Sequence, residues 1–149
     1  MTSSYVTGFP RFFLRLDGLV LFVSSLLLFS HTHQHWWWVP VLLFLPDLFM
    51  VGYVRSTKIG ALVYNLGHTY LLPSIVAIAG WYSNHFLVLA IGLIWLAHVG
   101  MDRFAGYGLK YEDDFKHTHL GDLHLNFKKE RRSSHVEIME RWKHPKSRG

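Results

Sequence analysis

The stretch FLVLAIGLIWLAHVGMDRF, residues 86–104, decides the fold. From Phe86 to Ala97 it offers no ionisable side chain and no polar stripe, whereas a helix on the surface of a soluble protein keeps one polar face. As a helix it reaches about 28 Å, close to the hydrocarbon thickness of a bilayer. A helix is the form to expect there, since lipid supplies no water to an open backbone. The stretch ends on His98 and Asp102, four residues apart and therefore on one helical face. Ionisable groups at such positions are costly and face a bundle interior or a cavity.

Three further apolar blocks precede it, at residues 12–29, 36–54 and 60–81. Each has the length of a spanning helix. The reading is an all-α polytopic membrane protein with four transmembrane helices at about 12–29, 36–54, 60–81 and 86–104. A soluble bundle would need polar stripes that these blocks lack. Half of the residues are hydrophobic and only 17% are charged, yet the net charge is +5, so most of the charges must lie between and after the blocks. They do, and on one side. All 15 Lys and Arg fall in the N-terminus with Arg11 and Arg15, in the loop with Arg55 and Lys58, or from Arg103 onward. The opposite loops, 30–35 and 82–85, contain none. Because Lys and Arg favour the cytoplasmic side, both termini of this multi-pass chain are expected in the cytoplasm. Trp36, Trp37, Trp38, Trp81 and Tyr82 would then mark the outer interface. No cleavage site follows the first block, which reads as a retained anchor rather than a secretory signal.

With no cysteine, disulfide scaffolds, thiolate metal sites and a cysteine nucleophile are excluded. Any metal must be held by His, Asp, Glu or backbone oxygen. The polar residues inside the spans supply such groups: Asp17, Asp47, Asn65 with His68, and His98 with Asp102. Counted along each helix, Asp47, His68 and His98 lie roughly 9–12 Å inside the cytoplasmic boundary, with Asp17 and Asp102 shallower. Asp47, His68, His98 and Asp102 are therefore the expected catalytic or metal-binding set, a mixed N/O group suited to a divalent ion such as Zn, Mn or Fe. A simpler role is interhelical hydrogen bonding, which contributes about 0.6 kcal/mol per contact in membranes. Asn65 shares a face with His68, and Trp95 joins the face of His98 as a wall. Pro46 and Pro73 remove backbone hydrogen bonds to Leu42 and Thr69, which opens space near the same residues.

After the fourth block, residues 105–121 are expected to re-enter the cytoplasmic face, with Gly106 and Gly108 permitting a sharp return. Either this segment is a solvated loop, or Lys110, Tyr111 and His119 fold back as a lid or headgroup contact, with Asn65 and Arg103 in the same substrate-binding set; Arg103 would pair with Asp102 or a lipid phosphate. Residues 122–149 read as a basic, disordered cytoplasmic tail drawn to anionic lipid headgroups. Sparse aromatics there argue against nucleic acid. The outer-loop histidines His31, His33 and His35 have no carboxylate beside them and read as an exposed loop.

Taken together, Pro46-Asp47-Leu48, Tyr64-Asn65-Leu66-Gly67-His68-Thr69-Tyr70, Trp95-Leu96-Ala97-His98-Val99-Gly100-Met101-Asp102-Arg103, Gly106-Tyr107-Gly108-Leu109-Lys110-Tyr111 and Thr118-His119-Leu120-Gly121 resemble a bacterial family of small four-helix membrane proteins, a domain of unknown function. The resemblance covers about residues 11–121 and implies a polytopic membrane protein, multi-pass in a bacterial inner membrane, with no assigned activity. Two function classes stay open. One is a membrane-embedded metal-dependent or acid/base enzyme acting on a lipid-like substrate; the other is a non-catalytic module for helix packing, proton relay or interaction. No serine elbow, phosphate loop or dinucleotide fingerprint points elsewhere.

Overall fold

The computed structural model describes residue 6 and residues 8–121, so the expected basic tail at 122–149 lies outside the described residues. Helix α1 covers Gly8–Phe29 and runs into a short turn at Ser30–Thr32. Helix α2, Trp38–Leu42, precedes a 3-10 helix at Leu45–Val54. Helices α3, Thr57–His68, α4, Leu71–Tyr82, and α5, Phe86–Ala105, complete the order. The described residues are all-helical, apart from an isolated bridge between Lys110 and Thr118.

Helix α5 is the axis of the bundle. Helices α1 and α4 pack along it, and α3 packs against the 3-10 helix. The approach of α1 to α5 is set by two glycines: a Cβ on Gly18 would stand 2.8 Å from the Gly100 carbonyl oxygen, and one on Gly100 would stand 2.7 Å from the Phe22 nitrogen. In lipid, where apolar side chains gain little by leaving their surroundings, close backbone contact of this kind is what holds helices together.

Among the described residues, three helical stretches are long and apolar enough to cross a membrane: Gly8–Thr32, Thr57–Tyr82 and Phe86–Ala105. The distribution of side chains agrees with a membrane protein. Phe9, Val20, Leu27, Leu48, Val51, Leu71, Ile78 and Trp81 are exposed, while His68, His98, Arg103 and Lys110 are buried. Apolar patches of that extent are foreign to a monomer in water. A small apolar core of Phe29, Ala90, Leu93 and Ile94 fills one end of the bundle, and the buried ionisable groups His68, His98, Arg103 and Lys110 gather towards the other.

Two expected spans differ in form from uninterrupted α-helices. Block 36–54 is α-helical only over Trp38–Leu42 and then becomes 3-10. Pro46 has no N–H to return to Leu42, and Asp47 N bonds instead to the Phe44 carbonyl at 3.1 Å, the tighter three-residue step. Block 60–81 breaks where α3 ends, with Thr69 extended at ψ 160° and α4 beginning two residues before Pro73. The proline falls in the first turn of α4, where its missing N–H costs no helical bond. Helix α3 begins at Ser56, whose hydroxyl accepts from the Ile59 N–H.

Past α5, Gly106 adopts φ 97°, and its N–H with that of Tyr107 returns to the Asp102 carbonyl, a glycine-terminated end that turns the chain back. The returning segment is fastened at several points. The Asn65 side chain donates to the Lys110 carbonyl at 2.9 Å and accepts from the Lys110 N–H at 2.8 Å. Tyr53 meets Phe115 edge to face at 5.0 Å, and Val6 N donates to the His119 carbonyl at 2.9 Å.

Candidate functional site

The end of α3 leaves its last carbonyls without helical partners, and α5 supplies them. Trp95 Nε1 donates to the Gly67 carbonyl at 2.7 Å, and the Arg103 guanidinium donates to the His68 carbonyl at 2.8 Å and to the Tyr107 carbonyl at 2.7 Å. These bonds place the last turn of α3 against the middle of α5. His68 and His98 consequently face each other inside the bundle, 0% and 1% exposed.

Their Nε2 atoms lie 3.1 Å apart. His68 Nδ1 is 2.9 Å from the Tyr64 carbonyl, so the tautomer assigned to it carries hydrogen on Nδ1 and a bare lone pair on Nε2. The Tyr64 ring stacks on the His68 imidazole at 3.7 Å, and its hydroxyl donates to Asp102 Oδ2 at 3.4 Å. Asp47, carried by the 3-10 helix, puts Oδ1 at 3.6 Å from His68 Nε2 and 3.7 Å from His98 Nε2. Asp102 puts Oδ2 at 3.7 Å from each. Donor atoms around a tetrahedral ion with bonds of about 2.0–2.2 Å stand roughly 3.3–3.6 Å apart. The observed separations of 3.1 to 3.7 Å bracket that value. Asp47, His68 and His98 form the group of ligand atoms, all within 4.8 Å of one another, that could hold a metal ion. Asp102 stands beside that group, in reach of both imidazoles.

The other residues singled out by the sequence have different placements. Asn65 spends its amide on the backbone of Lys110, and Arg103 spends its guanidinium on two carbonyls. Lys110 is buried, its Nζ 4.5 Å from the centroid of the Tyr64 ring and 5.2 Å from that of Tyr53. Burial pushes its amine down to about 8, against the opposing pull of Asp102 and Asp47. His119 accepts from the Leu109 N–H through Nδ1 at 2.8 Å, and burial, aided by the Arg103 charge, holds its imidazole below the ordinary value. Tyr111 is exposed, its ring 4.5 Å from that of His117, and is not brought to the cluster. Asp17 is exposed on α1 and likewise stays outside it. On the returning segment, a hydrogen bond from His117 holds the exposed Asp113 carboxyl below the usual range.

Over residues 11–123 the sequence matches a family described as Domain of unknown function (DUF4260). The chain belongs to that family. No curated protein and no solved structure matches it. Every group in the cluster, together with the segment that carries Lys110, lies inside the DUF4260 region. That region also holds neighbours of the cluster to which the sequence reading assigned no role: Tyr64, Tyr53 and Phe115 around Lys110, and Phe49 stacked on Trp95 at 5.9 Å. Tyr64 had a usable signal, since it stands four residues before His68 and hence on the same face. Phe115 had none, because only the return of the chain brings it near.

Proposed function

We propose that Asp47, His68, His98 and Asp102 bind a divalent cation, Zn, Mn or Fe, in the cytoplasmic half of a bacterial inner-membrane bundle, and that the bound ion activates water against a lipid-like substrate. The observation that carries this reading is the pair of buried imidazoles with Nε2 atoms 3.1 Å apart, flanked by two carboxylates. A divalent ion lowers the pKa of bound water to near neutral and polarises an ester or phosphoryl oxygen. Asp102, tied to Tyr64, then serves as ligand or proton acceptor, and Asp47, with 37% of its side chain exposed, marks the open edge of the centre. The 3-10 form of Leu45–Val54 supports a fourth crossing, because it rises about 2.0 Å per residue against 1.5 Å in an α-helix. With four crossings both termini are cytoplasmic.

A second reading has its own support. A separation of 3.1 Å also suits a hydrogen bond from His98 Nε2–H to the bare His68 Nε2, which would make the cluster a tie between helices in a non-catalytic module. That arrangement would leave the buried His98 Nδ1, which has no hydrogen-bond partner, as a bare acceptor. Metal analysis of the detergent-purified full chain decides between them. The metal reading expects one equivalent of Zn, Mn or Fe in the wild type and its loss in His98→Ala; wild-type protein that stays metal-free after incubation with each ion would refute it.

A further inference from the structure

Beside the metal-binding cluster lies a partly open apolar pocket of about 60 Å³, lined by Leu42, Leu45, Pro46, Phe49, Ile91 and Trp95. Its position relative to the cluster is fixed by three links. Pro46 is the neighbour of Asp47 in the chain. Phe49 packs against Gly67, where a Cβ would meet its ring at 2.6 Å, and Gly67 adjoins His68. Trp95 stands one turn before His98 on α5. Along α5 the order is therefore the pocket at Ile91 and Trp95, then His98, then Asp102; the Lys110 ammonium lies 4.5 Å from the centroid of the Tyr64 ring, which itself stacks on His68.

The charges along that line lead to the second observation. Asp47 and Asp102 supply two negative charges, and the buried Arg103 and Lys110 supply two positive ones. The Lys110 ammonium is boxed by the rings of Tyr64, Tyr53 and Phe115, whose faces hold a cation in place without neutralising it. A divalent ion added to this balanced set leaves two positive charges uncompensated in a region of low dielectric, a costly state unless an anion joins them. A phosphate monoester dianion restores the balance. An alkyl chain attached to it has a pocket to enter, on the side of the cluster towards the start of α5.

We propose that the site takes a single-chain phosphate monoester, its phosphate between the bound metal and the Lys110 ammonium and its alkyl chain in the pocket of Leu42, Leu45, Pro46, Phe49, Ile91 and Trp95. This rests on the metal reading and adds to it the headgroup, the chain and the direction in which the substrate lies.

The test uses full-length protein in neutral detergent, loaded with Mn2+, and 31P relaxation to report phosphate near the ion. The probes are dodecyl phosphate and inorganic phosphate, with dodecanol as a competitor. Dodecyl phosphate should bind at least about tenfold more tightly than inorganic phosphate, since burial of even two methylenes is worth that much. Dodecanol should displace it only weakly. Ile91→Trp and Leu45→Trp, two independent ways of filling the pocket, should reduce dodecyl phosphate to the affinity of inorganic phosphate while Mn2+ binding is kept. Lys110→Met should weaken both phosphates by about tenfold, the worth of a charged hydrogen bond. Mn2+ uptake with equal binding of both phosphates, or pocket variants that bind dodecyl phosphate as the wild type does, would overturn this inference and leave the metal reading intact. Failure to take up Mn2+, Zn2+ or Fe2+ would overturn both.

Discussion

Because His68 gives its Nδ1 hydrogen to a carbonyl of its own helix, its Nε2 is committed to accept, whatever stands opposite. That commitment separates a ligand set from a packing contact by substitution. Asp102→Asn keeps the size of the side chain and its contact with the Tyr64 hydroxyl but removes the charge that attracts a cation. The variant should insert and elute as the wild type does, lose at most about 1 kcal/mol of stability, and bind metal at least ~10-fold more weakly, as altered metal surroundings do. His98→Gln should behave in the same way, whereas unchanged metal binding in both would remove these residues from the ligand set. Lys110 supports a prediction in pH. Its amine titrates at about 8 in the folded protein and at about 10.4 in an unfolded chain. The folded state therefore releases a proton that the unfolded state retains, and stability rises with pH between those two values. Below about 8 both states are protonated, and the cost of holding the charge is at its full extent. Thermal melts in detergent should show Tm climbing from pH 8 to 10 in the wild type, an increment that Lys110→Met should lack.

At the scale of elements, local geometry was legible in the sequence and azimuth was not. The spacing of His98 and Asp102 on one helix places both on a common face without reference to any neighbour, and both indeed meet His68. Depth along a helix could be counted as well, and it set Asp17 shallower than Asp47, but it did not say which way either residue faces. Asp17 is exposed on α1, while Asp47 on the 3-10 helix is turned towards His68 and His98. That difference depends on which side of each element its neighbour occupies, and apolar content alone does not say. The 3-10 form of Leu45–Val54 was hidden for a related reason, since hydropathy counts residues while the form depends on which carbonyl each N–H reaches. Pro46 gave notice of a disturbance but not of its extent. The α1 to α5 crossing offers a direct check on packing. Gly100→Leu would drive a side chain into the backbone at Phe22, at a cost of about 1–3 kcal/mol or more if the helices cannot separate. Size-exclusion of a fluorescent fusion after heating should show a lower midpoint for Gly100→Leu than for the wild type.

Taken as a whole, the molecule turns its apolar residues outward at the bundle surface and encloses ionisable ones, the arrangement that lipid favours and water opposes. The sidedness proposed for it rests on the placement of Lys and Arg alone. A reporter active only in the cytoplasm should give signal at both termini and within residues 55–59, and none within 30–35; a reversed pattern would refute the assigned sidedness. The order of the cluster in the chain has a consequence for biogenesis. Asp47 and His68 leave the ribosome well before His98 and Asp102, and the Asn65 amide waits for Lys110 until almost the whole described chain has been made. During that interval the early segments enter the bilayer with their polar groups lacking the partners that α5 will bring. An insertion intermediate that stops before α5 is thus a natural substrate for membrane quality control, and arrival of the last helix converts it into a protected product.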